Sequence, residues 1–370
     1  MFLKMSDLPK PKPMPSEEFY LAERQRRLDS SVLCRENYER FMLSSRKTAK
    51  VDYLPIKLDI ENLSRCNFKC VMCQVSEWPK GQRSRDLTFH EFKEIIDLNY
   101  GLVEIKIQGM GEPTLARDDL YRMISYARQR FIWVRTVTNG SLLHLNENSK
   151  KLLESGVNEI QISIDGADKE TFEKIRVQSK FENVVRNVTE LNNLSEKYNL
   201  NVTKMWTVVQ DQNVHQLRDL VKLASQMNFK SMVFSLDISD WGNEKWTPKI
   251  KEKEVNHIFN IDYATDLYNL GASLGIRVAF WNINSKYDIS DKSNLCQWPF
   301  ERSFISSDNR VVPCCMVADP DTFEIKGGNT GRQSTFVEIW DSKKYQVFRE
   351  SHLSGDVNKL PSICKNCYKS

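Results

Sequence analysis

The stretch PIKLDIENLSRCNFKCVMC, residues 55–73, joins a β-rich run directly to three closely spaced cysteines. Residues 55–63 are predicted to form a strand, so Cys66, Cys70 and Cys73 fall in the loop at its carboxyl end. A structural zinc site takes four protein ligands, whereas this loop supplies three. Three thiolates leave one metal position open, and in an iron–sulfur cluster an open iron is a place where another molecule can bind.

The strand at 55–63 opens a regular alternation of β-rich and helix-like segments. Further strands are predicted at 103–109, 131–139, 158–165, 201–209, 231–237 and 276–281, and helices at 89–98, 117–130, 147–155, 169–195, 214–227 and 249–274. This spacing indicates parallel βαβ units with right-handed crossovers. The expected α/β fold is an open, partial (β/α)6 TIM-like barrel or a doubly wound sheet, and both place the chemistry at the carboxyl ends of the strands.

The N-terminal region has a different pattern. Residues 8–15 are rich in proline and are predicted to be extended, and residues 16–47 have a helical pattern. We therefore expect an N-terminal helical extension over residues 1–54. Cys34 stands alone in this region and is typical of a small buried hydrophobic residue.

The character of the chain changes again after about residue 290. Short strands are predicted at 303–307 and 310–313, on either side of a turn, and a helix near 335–350. We assign the barrel to residues 55–289 and a small, cysteine-rich α+β domain to residues 290–370.

Composition and charge exclude several classes of protein. The 53 basic and 49 acidic residues give a net charge of +4, which is weaker than the basic footprint of a nucleic-acid-binding protein. No stretch approaches 18 apolar residues, and the first 15 residues lack the apolar core of a signal peptide. We therefore expect a cytoplasmic protein with no nucleic-acid or membrane partner, in which clustered cysteines bind metal more often than they form disulfides.

The cysteine loop and three further motifs, in their order and spacing, resemble the radical S-adenosylmethionine (radical SAM) enzymes. That family has a C-x3-C-x2-C loop after the first strand, as Cys66, Cys70 and Cys73 provide here. The other motifs, at the ends of the second, third and fourth strands, are Gly109-Met110-Gly111-Glu112-Pro113, Thr138-Asn139-Gly140 and Ser163-Ile164-Asp165-Gly166. The first is similar to the family's glycine–glutamate–proline motif, with Met110 in place of a frequent glycine. The resemblance covers about residues 55–240.

The resemblance implies a role for each motif. The three cysteines would hold a 4Fe–4S cluster whose open iron binds SAM, although without the other motifs they could equally be a zinc site or buried thiols. A carboxylate such as Glu112 suits the amino group of SAM, and Arg176, eleven residues beyond Asp165, suits its carboxylate. Met72 would lie near adenine, and Ser163 and Asp165 near the ribose. The implied SAM contacts also include Gly109, Gly111, Glu112, Asn139 and Arg176.

A second set of cysteines lies in the C-terminal region and resembles the SPASM and twitch extensions of radical SAM enzymes, which carry auxiliary iron–sulfur clusters. Cys296, Cys314, Cys364 and Cys367 would supply the four thiolates of one auxiliary 4Fe–4S cluster. Cys315 is an alternative to Cys314, and a zinc ribbon with the same ligands stays open. In the preceding turn, Asn309 replaces the family's usual glycine and suits a left-handed position.

The resemblance also implies the reaction. Reductive cleavage of SAM would give a 5′-deoxyadenosyl radical that abstracts hydrogen from the substrate, with electrons supplied by a reductant such as flavodoxin or ferredoxin. One auxiliary cluster, acting as an electron relay, and no leader-peptide-binding pattern favour an oxidoreductase that dehydrogenates or epimerises a small molecule such as a sugar or aminocyclitol. The alternatives are a peptide maturase that crosslinks or epimerises a precursor peptide, and a non-catalytic iron–sulfur or zinc protein on the same scaffold.

No motif identifies an acid or base for the substrate. Lys204 and Trp206 on the fifth strand, and Asp237 and Asp240 after the sixth, are candidates by position alone. The five histidines are scattered and show no metal-ligand spacing.

Overall fold

The structure is a computed structural model that describes residues 8–78, 85–238, 240, 243–255, 259–282, 287–317, 319–326 and 335–368. These residues form two compact units. The loop unit comprises the described residues within 1–20, 65–82 and 135–282, and the C-terminal unit those within 21–64, 83–134 and 283–370. The predicted domain boundaries at residues 54/55 and 289/290 stay predictions.

The strands follow the predicted order along the chain. They are β1 (Lys57–Ile60), β2 (Lys69–Cys70), β3 (Glu104–Ile107), β4 (Trp133–Thr138), β5 (Glu159–Ser163), β6 (Arg176–Val177), β7 (Thr203–Val208), β8 (Ser231–Ser235), β9 (Arg277–Trp281), β10 (Arg302–Ile305) and β11 (Val311–Val312). Every strand of the predicted alternation is present, and β10 and β11 are the two predicted C-terminal strands. The two-residue strands β2 and β6 were not predicted.

The helices lie between these strands and at both ends of the chain. They are α1 (Glu17–Asp29), α2 (Val32–Ser44), α3 (Phe89–Leu98), α4 (Asp118–Arg128), α5 (Asn148–Glu154), α6 (Lys169–Ile175), α7 (Phe181–Lys197), α8 (Leu217–Gln226), α9 (Thr247–Lys251), α10 (Ile261–Ser273), α11 (Trp298–Glu301), α12 (Pro320–Phe323), α13 (Phe336–Trp340), α14 (Lys343–Leu353) and α15 (Ser362–Lys365). The predicted helix at 169–195 is two helices, α6 and α7, because β6 interrupts it. The predicted helix at 249–274 is represented by α9 and α10, and residues 256–258 of that prediction lie outside the described residues. None of the helices in the described part is long and apolar enough to cross a membrane.

The loop unit contains a parallel sheet with the strand order β4-β5-β7-β8-β9. Side chains alternate between its two faces, so Ile160 and Ile162, both fully buried, lie on one face of β5. Glu159, Gln161 and Ser163 lie on the other. In register, Gln161 pairs with Lys204 and Ser163 with Trp206. This second face therefore runs from charged residues at the amino ends of the strands to Ser163 and Trp206 at the carboxyl ends.

The proline-rich segment at residues 8–15 packs against the same unit. The backbone N–H of Phe280 on β9 donates to Pro9 O at 2.8 Å, and Lys204 Nζ donates to Lys12 O at 2.6 Å. The N–H of Met14 donates to Glu159 Oε2 at 3.1 Å, and Met14 itself is buried. The segment thus runs beside β9 and reaches the amino ends of β5 and β7.

The C-terminal unit contains the strand order β11-β10-β1-β3. β10 runs parallel to β1, with Lys57 opposite Arg302, and β11 returns antiparallel to β10. This pairing places a strand of the predicted C-terminal domain directly beside the first strand of the predicted barrel. Pairing between strands so far apart in the chain was not foreseen from the sequence.

The N-terminal helices pack on the C-terminal unit. Arg27 on α1 is buried and donates to the carbonyl oxygens of Leu102 and Tyr100 at 2.9 and 2.8 Å. Cys34 on α2 is fully buried against apolar neighbours that include Ile56 and Val103. Helices α1 and α2 therefore lie within the predicted extension, whose bounds stay a prediction, and Cys34 is buried as predicted.

Candidate functional site

Short backbone pairings fix the first cysteine loop in the loop unit. β2 and β6 pair antiparallel, which places Cys70 opposite Arg176. The N–H of Val71 donates to Ile175 O, and that of Cys73 donates to Cys70 O, both at 3.0 Å. Because the strand β6 follows α6 directly, the loop is held by an element that begins over 100 residues further along the chain.

The three thiols of this loop lie close enough to the buried cation Arg176 to interact with it electrostatically. Burial, together with the neighbouring Cys70, raises the pKa of Cys73 to about 12, and Arg176 partly opposes the rise. Arg176 Nη1 lies 4.0 Å from Cys70 Sγ. Iron–sulfur clusters are held by cysteine thiolates, and metal binding releases the thiol protons, so the three cysteines beside a cation fit the donor set of such a cluster.

Arg176 and Asp165 form a buried ion pair beside this loop. Arg176 Nη2 lies 2.6 Å from Asp165 Oδ2, and the two residues are 7% and 0% exposed. Asp165 Oδ1 also accepts the backbone N–H of Val208 at 2.8 Å. Burial raises the pKa of Asp165, and Arg176 opposes that rise. The sequence predicted both residues as SAM contacts and did not predict that they contact each other.

Asn139 connects its own motif to the cysteine loop. Its Nδ2 donates to Asn67 Oδ1 at 3.0 Å, and Asn67 Nδ2 donates to Ser141 Oγ at 2.9 Å. The N–H of Ser141 closes the set by donating to Asn139 Oδ1 at 3.0 Å. Asn67 and Ser141 were missed from the sequence. The only available signals were their places next to Cys66 and to the Thr138-Asn139-Gly140 motif.

Two tryptophans lie near the carboxyl ends of strands in the loop unit. Trp206 and Trp281 are half-buried, and their ring centroids lie 6.3 Å apart. Ser163, opposite Trp206 in the β5–β7 register, is half-buried as well. Partly exposed aromatic rings at this end of a parallel sheet can contact a ligand.

Two polar side chains that follow β7, Gln210 and Asn213, show whether the carboxyl end of the sheet suits a polar ligand such as SAM. Gln210, after β7, is fully buried, and neither polar atom of its side chain has a hydrogen-bond partner in the described part of the chain. Asn213 anchors the segment by donating to Asp165 O and Val208 O at 2.9 and 2.8 Å. A buried amide without partners costs free energy, so this region fits a polar ligand. Met72 is buried next to Cys73.

The glycine–glutamate–proline motif lies in the C-terminal unit. Glu112 is 3% exposed, and its Oε1 accepts the backbone N–H and the hydroxyl of Thr114 at 3.2 and 2.5 Å. This interaction caps the short 3-10 helix Pro113–Ala116. Gly109 packs on Glu61, since a Cβ at residue 109 would lie 2.1 Å from Glu61 Cγ. Gly111 is half-buried.

The second cysteine set also lies in the C-terminal unit. Burial raises the pKa of Cys314 well above its usual value, and the neighbouring Cys315, Cys364 and Cys296 raise it further. Burial likewise raises the pKa of Cys364, with Cys296 and Cys367 adding to the effect. The four predicted ligands therefore lie near enough to act on one another, and their donor chemistry fits a cluster. Cys315 belongs to the same group.

Tyrosines and a turn frame this second set. The N–H of Cys296 donates to Tyr368 Oη at 2.9 Å, and the N–H of Tyr287 donates to Cys367 O at 3.0 Å. Asn309 has φ +60°, the left-handed conformation predicted for it. Among the described residues, no group of three or more His, Cys, Asp or Glu side chains is arranged to hold a single metal ion.

The candidates for acid–base chemistry lie at opposite ends of the parallel sheet, with Lys204 at the amino end and Asp237 and Asp240 after the carboxyl end of β8. Lys204 is the second residue of β7, at the amino end of the sheet, and its Nζ lies 3.0 Å from Glu159. This position does not suit the catalytic role considered for it, because chemistry on parallel sheets occurs at the carboxyl ends. Asp237 is half-buried after β8, and Asp240 accepts the hydroxyl of Thr247 at 2.8 Å.

Family comparison agrees with this geometry. The chain matches the radical SAM superfamily over residues 63–224 and the iron–sulfur cluster-binding SPASM domain over residues 296–368. The chain therefore belongs to the radical SAM superfamily and carries a C-terminal SPASM domain. The predicted family and its cofactors, SAM and 4Fe–4S clusters, are confirmed.

Individual relatives differ in how much of the chain they match. Mycofactocin maturase MftC of Mycolicibacterium smegmatis is 32% identical over 194 residues, 52% of this chain and 47% of the relative. The AdoMet-dependent heme synthase of Methanosarcina barkeri is 25% identical over 323 residues, 82% of this chain and 85% of the relative. The chain thus spans about half the length of MftC and most of the length of the heme synthase.

Solved structures share the fold. Streptococcus suis SuiB bound to S-adenosylmethionine has a TM-score of 0.65 and 14% identity, covering 86% of this chain and 77% of that chain. anSMEcpe with bound AdoMet has a TM-score of 0.56 and 21% identity, covering 85% and 88%. These similarities confirm the predicted α/β fold class, the partial (β/α)6 TIM-like barrel with a cysteine-rich C-terminal domain.

Proposed function

We propose that this chain is a radical SAM maturase that modifies a side chain of a precursor peptide. The observation that carries the proposal is the 32% identity to mycofactocin maturase over 194 residues. Sequence reasoning placed a small-molecule oxidoreductase first and a peptide maturase second. The similarity to a maturase supports the second reading more strongly than the lack of a recognisable leader-binding pattern supports the first.

In this proposal Cys66, Cys70 and Cys73 hold the radical SAM cluster, which supplies the reductive cleavage of SAM when bound. Arg176 keeps a positive charge 4.0 Å from Cys70 Sγ, which favours thiolates over thiols. Asp165 holds Arg176 in place through the 2.6 Å contact. These residues bind and orient, and they take no proton from the substrate.

The SAM contacts belong to the proposal as well. Glu112 is fixed by Thr114, and a fixed carboxylate suits the ammonium group of SAM. Arg176 has five N–H donors, so it can serve Asp165 and the carboxylate of SAM together. Ser163 and Asp165 would meet the ribose. The further contacts proposed are Met72, Gly109, Gly111 and Asn139.

Trp206 and Trp281 are the residues we assign to the substrate side chain. Both rings are half-buried near the carboxyl ends of β7 and β9. Two tilted aromatic rings favour a flat or apolar group between or beside them. A peptide side chain such as that of Tyr, Trp, Phe or Val would suit this surface.

The second cysteine set completes the proposal. Cys296, Cys314, Cys364 and Cys367 would hold one auxiliary 4Fe–4S cluster, with no position left for the substrate. Such a cluster can accept an electron from the substrate, so the net reaction is an oxidation. A reductant such as flavodoxin or ferredoxin would supply electrons to the first cluster.

Release of 5′-deoxyadenosine tests the proposal. The anaerobically reconstituted protein is incubated with SAM, dithionite and a pool of synthetic peptides that each carry one Tyr, Trp, Phe or Val. We expect the peptides to raise 5′-deoxyadenosine release and a subset of them to change mass, both measured by mass spectrometry. No release under any condition would mean a non-catalytic iron–sulfur protein.

A small-molecule oxidoreductase is the second candidate. The observation in its favour is the alignment with a heme synthase over 82% of this chain and 85% of that enzyme. A pool of sugars, aminocyclitols and porphyrins run in parallel separates the two candidates. Stimulation by this pool, with none by the peptides, would replace the first proposal by the second.

A further inference from the structure

Glu61 joins two loops that are far apart in the sequence. It follows β1 directly and is fully buried. Its Oε1 accepts the backbone N–H of Met110 at 2.8 Å, inside the glycine–glutamate–proline motif. Its Oε2 accepts the backbone N–H of Ser307 at 3.0 Å, in the turn that leads to Cys314. One carboxylate therefore holds both segments, one with each oxygen.

The sequence around both contacts leaves little freedom. Gly109 has no side chain, and a Cβ there would lie 2.4 Å from Glu61 Oε1, so only glycine lets the motif approach the carboxylate. On the other side, the N–H of Asn309 donates to Ser306 O at 2.8 Å and closes a turn over residues 306–309. β11 and Cys314 follow this turn within five residues of Asn309. Movement of either loop must therefore move Glu61.

We propose that Glu61 is a positioning residue that couples SAM binding at the motif of residues 109–113 to the turn of residues 306–309, and through it to the segment that carries Cys314. The coupling rests on the proposed function, in which Glu112 of that motif binds SAM. A ligand that orders Met110 strengthens its bond to Glu61, and the same carboxylate then holds Ser307 more firmly. Coupling of this kind is reciprocal, so the state of the C-terminal turn also changes the affinity for SAM.

The variant Glu61→Gln breaks the coupling with little change in shape. A carboxylate offers an acceptor oxygen to each N–H, whereas an amide offers one oxygen and one NH2 group. The NH2 group would face an N–H donor, so only one of the two contacts can persist. Glu23→Gln is the matched control, because Glu23 is a buried carboxylate of the same unit whose partners, Arg26 and Arg128, lie outside both segments.

Hydrogen–deuterium exchange with mass spectrometry tests the coupling on the reconstituted holoenzyme. In wild type and in Glu23→Gln, we expect SAM to slow exchange in peptides covering residues 107–113 and 303–310 alike, by about fivefold or more. In Glu61→Gln, SAM should slow exchange in only one of the two peptides. If SAM slowed exchange in both peptides of Glu61→Gln as much as in wild type, the proposal would be overturned.

A second variant keeps the test decisive if Glu61→Gln does not fold. Ser307 is the second residue of the turn, a position that favours proline. Ser307→Pro removes the N–H donor, and the hydroxyl that is lost with it makes no hydrogen bond among the described residues. Ser307→Ala, which loses the hydroxyl and keeps the N–H, is its control. It should abolish the response at 303–310 and keep the response at 107–113. In wild type, a response at 107–113 alone would overturn the coupling and leave SAM binding by the motif intact. A response in neither peptide would overturn both.

Discussion

Gly166 shows how a single residue can fix the cysteine loop from a distance. A Cβ at this position would lie 2.4 Å from Phe172 N and 2.6 Å from Phe172 Cα, which are backbone atoms of α6. We expect Gly166→Ala to displace α6 and therefore Arg176, which follows it. The variant should lose about 1–3 kcal/mol of unfolding free energy and retain less iron in the first cluster, measured by urea unfolding and iron assay.

Gly275→Ala is the matched control for this prediction. Gly275 has φ +72°, and among the described residues no atom beyond its chain neighbours lies within 4 Å of its Cβ position, so alanine there adds backbone strain without a clash. We expect a similar loss of stability, about 1–2 kcal/mol, with normal iron content. Equal iron loss in the two variants would show that general destabilisation, and not the position of Arg176, controls cluster retention.

At the scale of single residues, the sequence predicted identities better than contacts. The cysteines, Glu112 and Arg176 follow from motif spacing, which is a local property of the chain. The ion pair between Arg176 and Asp165 and the contacts of Asn67 depend on how separate loops pack. Packing of that kind has no local signature, so these contacts could not be predicted.

The amino ends of β5 and β7 form an element with a structural role. Glu159 and Lys204 are 1% and 2% exposed, and their side chains lie 3.0 Å apart. The proline-rich segment forms a hydrogen bond with each of them. Lys204→Met should cost about 3–5 kcal/mol, because it leaves the Glu159 carboxylate buried without its cation. Chemical unfolding of the single variants and of Glu159→Gln/Lys204→Met measures the coupling.

The double variant is the control for the pair. It removes both charges, so we expect it to recover much of the stability lost by Lys204→Met. SAM cleavage per folded molecule should stay at the wild-type level in Lys204→Met and in the double variant. A selective loss of cleavage in a well-folded double variant would instead give Lys204 a part in the reaction.

The carboxyl ends of β7 and β9 carry the substrate prediction. Trp206→Ala and Trp281→Ala each remove a half-buried ring, so we expect weaker binding of the peptide side chain, by about tenfold in KM. 5′-Deoxyadenosine release without peptide should not change. Tyr268→Ala, which removes an aromatic ring that is 41% exposed on α10, is the control. Unchanged KM in both tryptophan variants would remove this surface from the substrate site.

Among the elements, those with strong periodicity were predicted well and those set by distant pairing were not. β1, β5, β7 and their following helices appear where the alternation placed them. β6 interrupts a predicted helix because it pairs with β2 over 100 residues earlier. β10 lies beside β1 for the same kind of reason. Pairing partners are chosen by the whole fold, and a local pattern does not contain them.

At the scale of the molecule, one buried histidine makes stability depend on pH. His352 is 1% exposed, and burial lowers its pKa from 6.5 to about 4. His352 therefore takes up a proton near pH 6.5 in the unfolded chain but only near pH 4 in the folded chain. Its contribution to the free energy of unfolding is complete above pH 6.5 and decreases as the pH falls. We expect wild type to lose about 2 kcal/mol more than His352→Gln between pH 7 and pH 5.

Urea unfolding at both pH values measures this difference. His90→Gln is the control, because the side chain of His90 is 82% exposed; it should show the pH dependence of wild type. A pH dependence in His352→Gln as steep as that of wild type would assign the acid sensitivity to other groups.

The C-terminal cysteine set decides whether the molecule carries one cluster or two. Cys364→Ala/Cys367→Ala should lose about four irons per chain and keep the cluster of the first loop, because the two sets use different ligands. Cleavage of SAM should therefore continue while turnover of the substrate stops. Iron and sulfide analysis of the reconstituted protein, with zinc measured in parallel, makes the comparison.

Two further variants complete this test. Cys34→Ala should keep all its iron, since Cys34 is buried among apolar side chains. Cys314→Ser and Cys315→Ser, compared with each other, identify which neighbour is the ligand, because only the true ligand variant should resemble the double alanine variant. Loss of one zinc and no iron from the double alanine variant would make the second centre a zinc ribbon, and the electron relay proposed for it would then be wrong, since zinc has no redox chemistry.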